Sequence, residues 1–140
     1  GVLLSATGNY CTEFQYDFID QPDLAQTFAV TCCMLHIPFH FKGVQSLKIK
    51  ETNRVAALIA ELAKLGYTLF EPAEGELAWK NESCEAANDI RIKTYEDHRM
   101  TMAFAPAALK TALTIEEAQV VSKSYPAFWD DFEKIQTNSK

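Results

Sequence analysis

One stripe of apolar residues between positions 53 and 65 constrains the fold more than any other feature of the sequence. Five apolar residues there recur at the spacing of one face of an α-helix: Val55, Leu58, Ile59, Leu62 and Leu65. A helix with such a face must bury it against another element, which requires a packed domain. We expect Thr52 to cap the start of this helix, and Gly66 to follow its end in the left-handed conformation.

The segments on both sides of this helix predict strands and helices in alternation. The first cycle comprises a strand over 12–19, a helix over 24–35 that Pro22 opens, a strand over 39–49, the helix over 53–65, and short strands at 67–70 and 77–79. The second cycle comprises a strand over 90–95, a helix over 97–109 that Pro106 should kink or split, a strand over 113–121 and a helix over 125–136. Because the segment 24–35 is apolar on every side, we expect its helix to be buried on every side.

The two cycles resemble each other in residues as well as in order. A shift of 74 positions places Asp23 on Asp97 and Thr27 on Thr101. Each aspartate opens an apolar helix. Units with the order strand–helix–strand–helix form mixed sheets on which the helices pack. We therefore predict an α/β fold that contains a duplicated βαβα unit.

Composition excludes several classes of protein. The chain has 140 residues, which suits one domain over 1–140, and its formal net charge is −6. An acidic chain is a poor candidate for binding nucleic acid, which needs a basic surface. No apolar run reaches the roughly 20 residues that span a bilayer, so we expect no membrane partner, and no signal peptide is recognisable. The four cysteines lack metal-ligand spacing, and we expect core thiols in a cytoplasmic protein.

Charged residues collect where predicted strands lead into predicted helices. Such junctions contain Asp23, the segments 50–54 and 96–99, and Lys123. Free N–H groups at a helix start attract phosphates and carboxylates, and lysine and arginine add positive charge. On an acidic chain this pattern predicts a site for a small polyanion, in which carboxylates beside the cations could move protons. The alternative is that the same charges are solvated caps and surface ion pairs.

Other catalytic patterns do not occur in the sequence. The five glycines form neither G-x-G-x-x-G nor a P-loop pattern. No serine lies in the context of a nucleophile elbow. His36 and His40 lack metal-ligand spacing to Asp97 and His98, so no metal is expected.

Four short motifs follow one another along the chain. They are Pro-Asp-Leu-Ala at 22–25, Lys-Glu-Thr-Asn-Arg at 50–54, Asp-His-Arg-Met at 97–100, and Lys-Ser-Tyr-Pro-Ala-Phe-Trp at 123–129. In residue types, order and spacing they resemble the motifs of the EPSP synthase family, the 3-phosphoshikimate 1-carboxyvinyltransferases. The resemblance covers nearly the whole chain, but only the C-terminal part of the family's sequence.

This resemblance implies a fold of repeated βαβαββ units with a mixed sheet and packed helices. Residues 1–86 would form the first unit and residues 87–140 a second, incomplete unit, together part of the C-terminal domain of a two-domain enzyme. The implied reaction transfers the enolpyruvyl group of phosphoenolpyruvate to the 5-hydroxyl of shikimate 3-phosphate and releases phosphate. It belongs to the shikimate pathway to aromatic amino acids and needs no metal or organic cofactor. The missing N-terminal domain would complete the site, so the isolated chain is expected to be inactive.

The resemblance also implies four catalytic residues. Asp23 would accept the proton of the shikimate hydroxyl, and Glu51 would donate a proton to the methylene carbon of phosphoenolpyruvate. His98 would line the same pocket. Lys123 would hold phosphoenolpyruvate beside the two carboxylates.

The implied substrate-binding residues are mostly cations, as a polyanionic substrate requires. Asp23 and Lys50 would contact shikimate 3-phosphate, the lysine at its phosphate. Arg54, Arg99 and Lys123 would hold the carboxylate and phosphate of phosphoenolpyruvate. Ser46 stands where many members of the family carry an amide that binds the phosphate of shikimate 3-phosphate, and we include it in this set.

Two alternatives remain at this stage. UDP-N-acetylglucosamine enolpyruvyl transferase shares the fold, but it typically lacks the Lys-Glu-Thr run and has leucine before the matching arginine. Lys50, Glu51 and His98 therefore favour the shikimate enzyme. The alternative from another class is a non-catalytic anion-binding or assembly module, in which the charges at the helix ends are structural.

Overall fold

The computed structural model describes residues 1–138. Strands and α-helices alternate along this part of the chain, as the sequence predicts. Their bounds are β1 Phe14–Asp17, α1 Ala25–Met34, β2 Phe39–Lys42, α2 Arg54–Lys64, β3 Leu77–Trp79, β4 Arg91–Ile92, α3 His98–Phe104, β5 Thr114–Ile115 and α4 Phe128–Asn138. Short 3-10 helices occur at Pro22–Leu24, Gln45–Ile49, Ala105–Leu109 and Ala118–Lys123.

The strands within residues 1–138 form two sheets. In the first sheet β1 pairs parallel with β2, and β2 pairs antiparallel with β3. In the second sheet β4 pairs parallel with β5. Parallel neighbours need a crossover connection, and α1 and α3 each lie in such a connection. The prediction of an α/β fold with a mixed sheet and packed helices is confirmed.

The core lies between the sheets and the helices. Helix α1 packs against α3 and also contacts α2. Residues of β2 alternate, so that Phe39 and Phe41 face the core. Other large side chains with almost no exposed surface include Phe18, Leu47, Leu58, Leu62, Met100 and Phe104. Each such side chain contributes about 1.5–3 kcal/mol by leaving water, so this layer holds the helix starts in fixed relative positions.

Helix α2 confirms the amphipathic stripe. Val55, Leu58 and Leu62 are fully buried, and Gly66 follows the helix with φ +98°. The predicted N-cap is off by one residue, because Asn53 Oδ1 accepts the hydrogen bond from the Ala56 N–H at 3.0 Å. An asparagine at this position is as good a cap as a threonine.

Helix α1 differs from its prediction. Leu24, Phe28 and Leu35 keep 46%, 39% and 53% of their surface exposed, so the segment is not buried on every side. They lie at i, i+4 and i+11, which is one face of a helix. An apolar composition therefore describes α1 correctly, but it does not reveal that one face lacks a covering layer in this chain.

Four predicted strands are shorter in the structure, and the segment 67–70 forms only isolated bridges at Tyr67 and Phe70. The strand over 12–19 keeps Phe14–Asp17. The strand over 39–49 ends at Lys42, because Gly43 turns the chain with φ +70° before the 3-10 helix Gln45–Ile49. The strand over 113–121 keeps only Thr114–Ile115, since Glu117 adopts φ 51° and starts another 3-10 helix. Similarly, the strand over 90–95 keeps only Arg91–Ile92.

The predicted effect of Pro106 is confirmed. Helix α3 ends at Phe104, and a 3-10 helix Ala105–Leu109 follows with Pro106 in its first turn. Proline removes a helical hydrogen bond and clashes with the preceding turn. The last helix begins at Phe128, three residues later than predicted.

The cysteines divide into two kinds. Cys32 and Cys33 are buried free thiols, as predicted, whereas Cys11 and Cys84 are exposed. Burial raises the pKa of Cys32 to about 11, so it behaves as a small apolar side chain. Separately, each helix within residues 1–138 is too short or too polar to cross a bilayer.

Candidate anion-binding site

Three chain segments meet at one end of the helix layer. They are the 3-10 helix Pro22–Leu24 that leads into α1, the start of α2, and the start of α3. The packing of α1 against α2 and α3 brings these starts together. The charged residues predicted from strand-to-helix junctions therefore lie within reach of one another.

Arg54 is the centre of this cluster. Its Nε donates to Asp97 Oδ2 at 2.6 Å, its Nη1 to Asp23 Oδ1 at 2.8 Å, and its Nη2 to Glu51 Oε2 at 2.7 Å and Asp97 Oδ1 at 3.2 Å. The side chains of Arg54 and Asp97 are 1% and 0% exposed. Burial alone would lower the pKa of Arg54, but Asp97, Glu51 and Asp23 together raise it. The guanidinium therefore stays charged and binds three carboxylates.

Asp23 lies beside three cations. In addition to the contact with Arg54, Lys50 Nζ is 3.6 Å from Asp23 Oδ1, and Arg99 Nη2 is 3.6 Å from Asp23 Oδ2. Burial alone would raise the pKa of Asp23, but Arg99, Lys50 and Arg54 outweigh it and hold the pKa below its ordinary value. Asp23 is therefore ionised at neutral pH.

The helix starts are partly occupied by their own caps. Asp97 Oδ1 accepts the Arg99 N–H at 2.9 Å, just as Asn53 accepts the Ala56 N–H in α2. Each of these caps occupies one backbone amide of its helix start. The attraction of an anion to the helix starts stays a prediction.

Lys123 lies close to the cluster. It ends the 3-10 helix Ala118–Lys123, which packs against α3. Its Nζ donates to the backbone oxygen of Glu96 at 3.0 Å, next to Asp97. The lysine is thereby attached to the loop that precedes α3, with its side chain in an exposed position.

Ser46 and His98 occupy the edge of the site. Ser46 is part-buried in the 3-10 helix Gln45–Ile49, which packs against the 3-10 helix Pro22–Leu24 that carries Asp23. His98 is the part-buried first residue of α3, between Asp97 and Arg99. The roles assigned to both residues remain predictions.

Two residues of the cluster have no individual role in the predicted site, although one of them lies in the predicted junction 96–99. Asp97 is the main partner of Arg54, and the internal repeat that pairs it with Asp23 was the signal that could have identified it. Gln26 is also buried beside the site, where its Nε2 donates to the backbone oxygen of Asp23. No sequence pattern singles out Gln26.

Together these features define a mixed α/β protein with a cluster of cations and carboxylates around a buried arginine. The sequence model of the EPSP synthase (3-phosphoshikimate 1-carboxyvinyltransferase) family matches residues 3–132. The chain belongs to this family. The prediction made from the four motifs is confirmed.

Curated relatives carry the same family name. The 3-phosphoshikimate 1-carboxyvinyltransferase of Bacteroides fragilis is 53% identical over 135 residues, which are 96% of this chain and 33% of that protein. Those of Idiomarina loihiensis and Syntrophobacter fumaroxidans are 36% and 34% identical, over 96% and 86% of this chain and 30% and 28% of those proteins. The chain thus spans about a third of the length of these relatives.

Proposed function

We propose that this chain is the part of an EPSP synthase that carries its proton-transferring carboxylates. The whole enzyme would transfer the enolpyruvyl group of phosphoenolpyruvate to the 5-hydroxyl of shikimate 3-phosphate and release phosphate. Residues 1–86 would be one βαβαββ unit and residues 87–140 a second, incomplete one. No metal or organic cofactor takes part in this proposal. The buried free thiols suit a reducing, cytoplasmic location.

The convergence of two carboxylates and several cations carries the proposal. Asp23 and Glu51 come from different helix starts, and both bind Arg54. Lys50 and Arg99 flank Asp23. Substrates with a phosphate and a carboxylate need several cations, and a reaction that moves protons needs carboxylates beside them.

Lys50 and Arg99 are the cations best placed to meet a substrate first. Their side chains are 34% and 39% exposed, and their 3.6 Å contacts with Asp23 are long for ion pairs. Arg54 is 1% exposed and saturated by carboxylates. Its Nη2 would be available to a substrate anion only after the side chain of Glu51, which is 49% exposed, moves away.

Substrate binding would also prepare Asp23 as a base. Its pKa is low because Arg99, Lys50 and Arg54 outweigh burial, and a low pKa makes a carboxylate a weak proton acceptor. A bound phosphate would neutralise part of that positive charge, so the pKa of Asp23 would rise towards its ordinary value. Asp23 would then accept the hydroxyl proton when the substrate is present. Proton transfer of this kind contributes about 10²–10⁴-fold in rate.

The site would be completed by another domain. The chain spans 33% of the Bacteroides fragilis relative, and the resemblance implies an N-terminal domain that completes the site. Closure of that domain over the ligands would exclude water from the carboxylates. We therefore expect the isolated chain to bind phosphate weakly and to release none from phosphoenolpyruvate.

A chimera provides the direct test. The matched segment of the Bacteroides fragilis protein would be replaced by this chain, and phosphate release would be followed with phosphoenolpyruvate and shikimate 3-phosphate. We expect turnover that requires both substrates and falls about 10²–10⁴-fold in Asp23→Asn. The matched control is Asp20→Asn, which changes an exposed carboxylate three residues earlier.

The chimera also decides between the alternatives. Turnover with UDP-N-acetylglucosamine as the acceptor, instead of shikimate 3-phosphate, would indicate that the chain has the function of the related transferase. A folded chimera without turnover on either acceptor, although the parent protein is active, would contradict the proposal and favour a non-catalytic module.

A further inference from the structure

Glu61 is a buried carboxylate outside the Arg54 cluster. It lies on α2 and is 1% exposed. Its Oε1 accepts the hydroxyl of Tyr95 at 2.7 Å, and its Oε2 accepts the backbone N–H of Lys93 at 3.0 Å. Lys64 Nζ donates to the same Oε2 at 2.5 Å. Two of these three donors therefore belong to the loop before α3, and not to the helix that carries Glu61.

That loop has an unusual backbone. Tyr95 and Glu96 adopt φ 56° and φ 57°, one after the other. Left-handed backbone is unfavourable for residues with a Cβ, and a bulky residue such as tyrosine is rarely found there unless its surroundings hold it in place. Asp97, the principal partner of Arg54, is the next residue. The strained pair thus sets the direction in which the chain enters α3.

One face of α2 holds this loop at both ends. Arg54 and Glu61 are seven residues apart, so they lie on the same face, two turns from each other. Arg54 binds Asp97 at the end of the loop, and Glu61 binds Lys93 and Tyr95 near its start. A single rigid helix therefore fixes the distance between the two attachments.

The Tyr95 hydroxyl is a reliable donor in this contact. Burial, and then the hydrogen bond to Glu61, raise the pKa of Tyr95 to about 12. The phenol therefore keeps its proton at neutral pH. By contrast, Lys64 is 30% exposed and also donates to the Arg91 backbone oxygen, so pairing with Lys64 alone does not explain why the carboxylate is buried.

We infer that Glu61 is a positioning residue for the anion site. By binding Tyr95 and Lys93 it stabilises the left-handed loop, which in turn presents Asp97 to Arg54 and Arg99 to an incoming phosphate. Glu61 touches no substrate in this role. The statement about phosphate rests on the proposed function, whereas the statement about the loop does not.

Tyr95→Phe tests the inference because it removes one hydroxyl and keeps the ring. The matched control is Tyr67→Phe, a part-buried tyrosine that packs on Trp79 away from the site. Two quantities would be measured by NMR on the whole chain: amide hydrogen exchange of residues 93–99, and the dissociation constant of inorganic phosphate from shifts at 50–54 and 97–99. We expect Tyr95→Phe alone to speed exchange in the loop and to weaken phosphate binding about tenfold.

A second pair of variants separates positioning from stability. Glu61→Gln can still accept from the Lys93 N–H and donate to the phenol oxygen of Tyr95, so we expect phosphate binding within about threefold of the original chain. Glu61→Ala offers neither contact and should lose as much affinity as Tyr95→Phe or more. Urea unfolding of every variant would identify any that loses binding through loss of the fold.

The outcomes remain distinguishable. If Tyr95→Phe and Tyr67→Phe behave alike in loop exchange, Glu61 does not hold the loop and the inference is wrong. If loop exchange rises but phosphate affinity is unchanged, the loop does not position the site, and the inference is also wrong. If the original chain binds no phosphate at 50–54 and 97–99, the proposed function fails, and loop exchange still decides the role of Glu61 in the fold.

Discussion

At the scale of single residues, Arg54 shows how a predicted ligand contact can also be a structural centre. Glu51 and Arg54 are i, i+3 neighbours, and their side chains form an ion pair at 2.7 Å. The same guanidinium also binds Asp97 and Asp23. Loss of one partner from a buried ion pair leaves an uncompensated charge and costs about 3–5 kcal/mol. The substrate-binding role proposed for Arg54 would thus be combined with a role in joining three segments.

The low pKa of Asp23 predicts a pH dependence of stability. A carboxyl whose pKa is lower in the folded state than its unfolded value, about 3.9, stabilises the fold above that pH. This contribution is lost as the pH falls through the folded pKa. Asp23→Asn should therefore be less stable than the original chain near pH 6. Its free energy of unfolding should also decline less steeply below about pH 4.

Urea unfolding at a series of pH values between about 2 and 6 measures this difference. Asp20→Asn again serves as the control, because this exposed carboxylate should leave the curve unchanged. If the free energy of unfolding changes with pH in parallel for Asp23→Asn and the original chain, the pKa of Asp23 is not lowered in solution by its neighbours Arg99, Lys50 and Arg54.

At the scale of elements, Gly43 controls how two site segments approach each other. It follows β2 with φ +70°, and a Cβ there would lie 2.4 Å from the Ile19 backbone nitrogen and 2.3 Å from Asp17 Oδ1. The chain from Ile19 leads to Asp23, and the chain from Gly43 leads to Lys50. We expect Gly43→Ala to cost about 3 kcal/mol or more, because strain of about 1–3 kcal/mol adds to a backbone clash.

Gly8→Ala is the matched control for this substitution. Gly8 has a similar φ of +74°, but a Cβ there would meet nothing within 4 Å. Its penalty should therefore be limited to the left-handed backbone, about 1–2 kcal/mol at most. If Gly43→Ala and Gly8→Ala lower the free energy of unfolding equally, the cost at Gly43 comes from its positive φ alone and not from the close approach to Ile19.

The sequence predicted elements best where their patterns are local. The stripe of α2 and the break at Pro106 depend on neighbours within a few residues, and both are confirmed. The strands over 39–49 and 113–121 were too long, because the left-handed turns at Gly43 and Glu117 interrupt apolar runs. The β-propensity of a run does not reveal such turns.

The site was predictable to the extent that its residues lie in short motifs. Asp23, Lys50, Glu51, Arg54 and Arg99 were all predicted, and the structure brings them together. The contacts that organise them were not predicted, because they join distant positions. Asp97 is 43 residues from Arg54, and Tyr95 is 34 residues from Glu61.

At the scale of the whole molecule, charge and apolar surface are unevenly distributed. The chain carries a net charge of −6, yet it gathers Lys50, Arg54, Arg99 and Lys123 near one end of its helices. We expect a local cationic site on an acidic protein to attract a small anion more readily than a large polyanion. This expectation agrees with the proposed function.

An apolar patch lies on α1 and continues onto β1. Leu24, Phe28 and Leu35 are exposed on one face of the helix. The Phe28 ring stacks on Phe14 at 5.4 Å, and Phe14 stacks on Tyr16, which is itself 44% exposed. Contiguous apolar patches are uncommon on monomeric proteins and usually mark a surface that binds another surface.

We expect the isolated chain to self-associate through this patch at high concentration. Sedimentation velocity should show an average mass that rises with concentration, since each copy can bury its patch against another. Leu35→Glu places a charge in the patch and should shift this association to higher concentration. Ala60→Glu adds the same charge at an exposed position of α2 and should not. A monomer whose mass is independent of concentration in the original chain would show that α1 is stable in water with this face uncovered. The patch would then give no reason to expect a covering layer there.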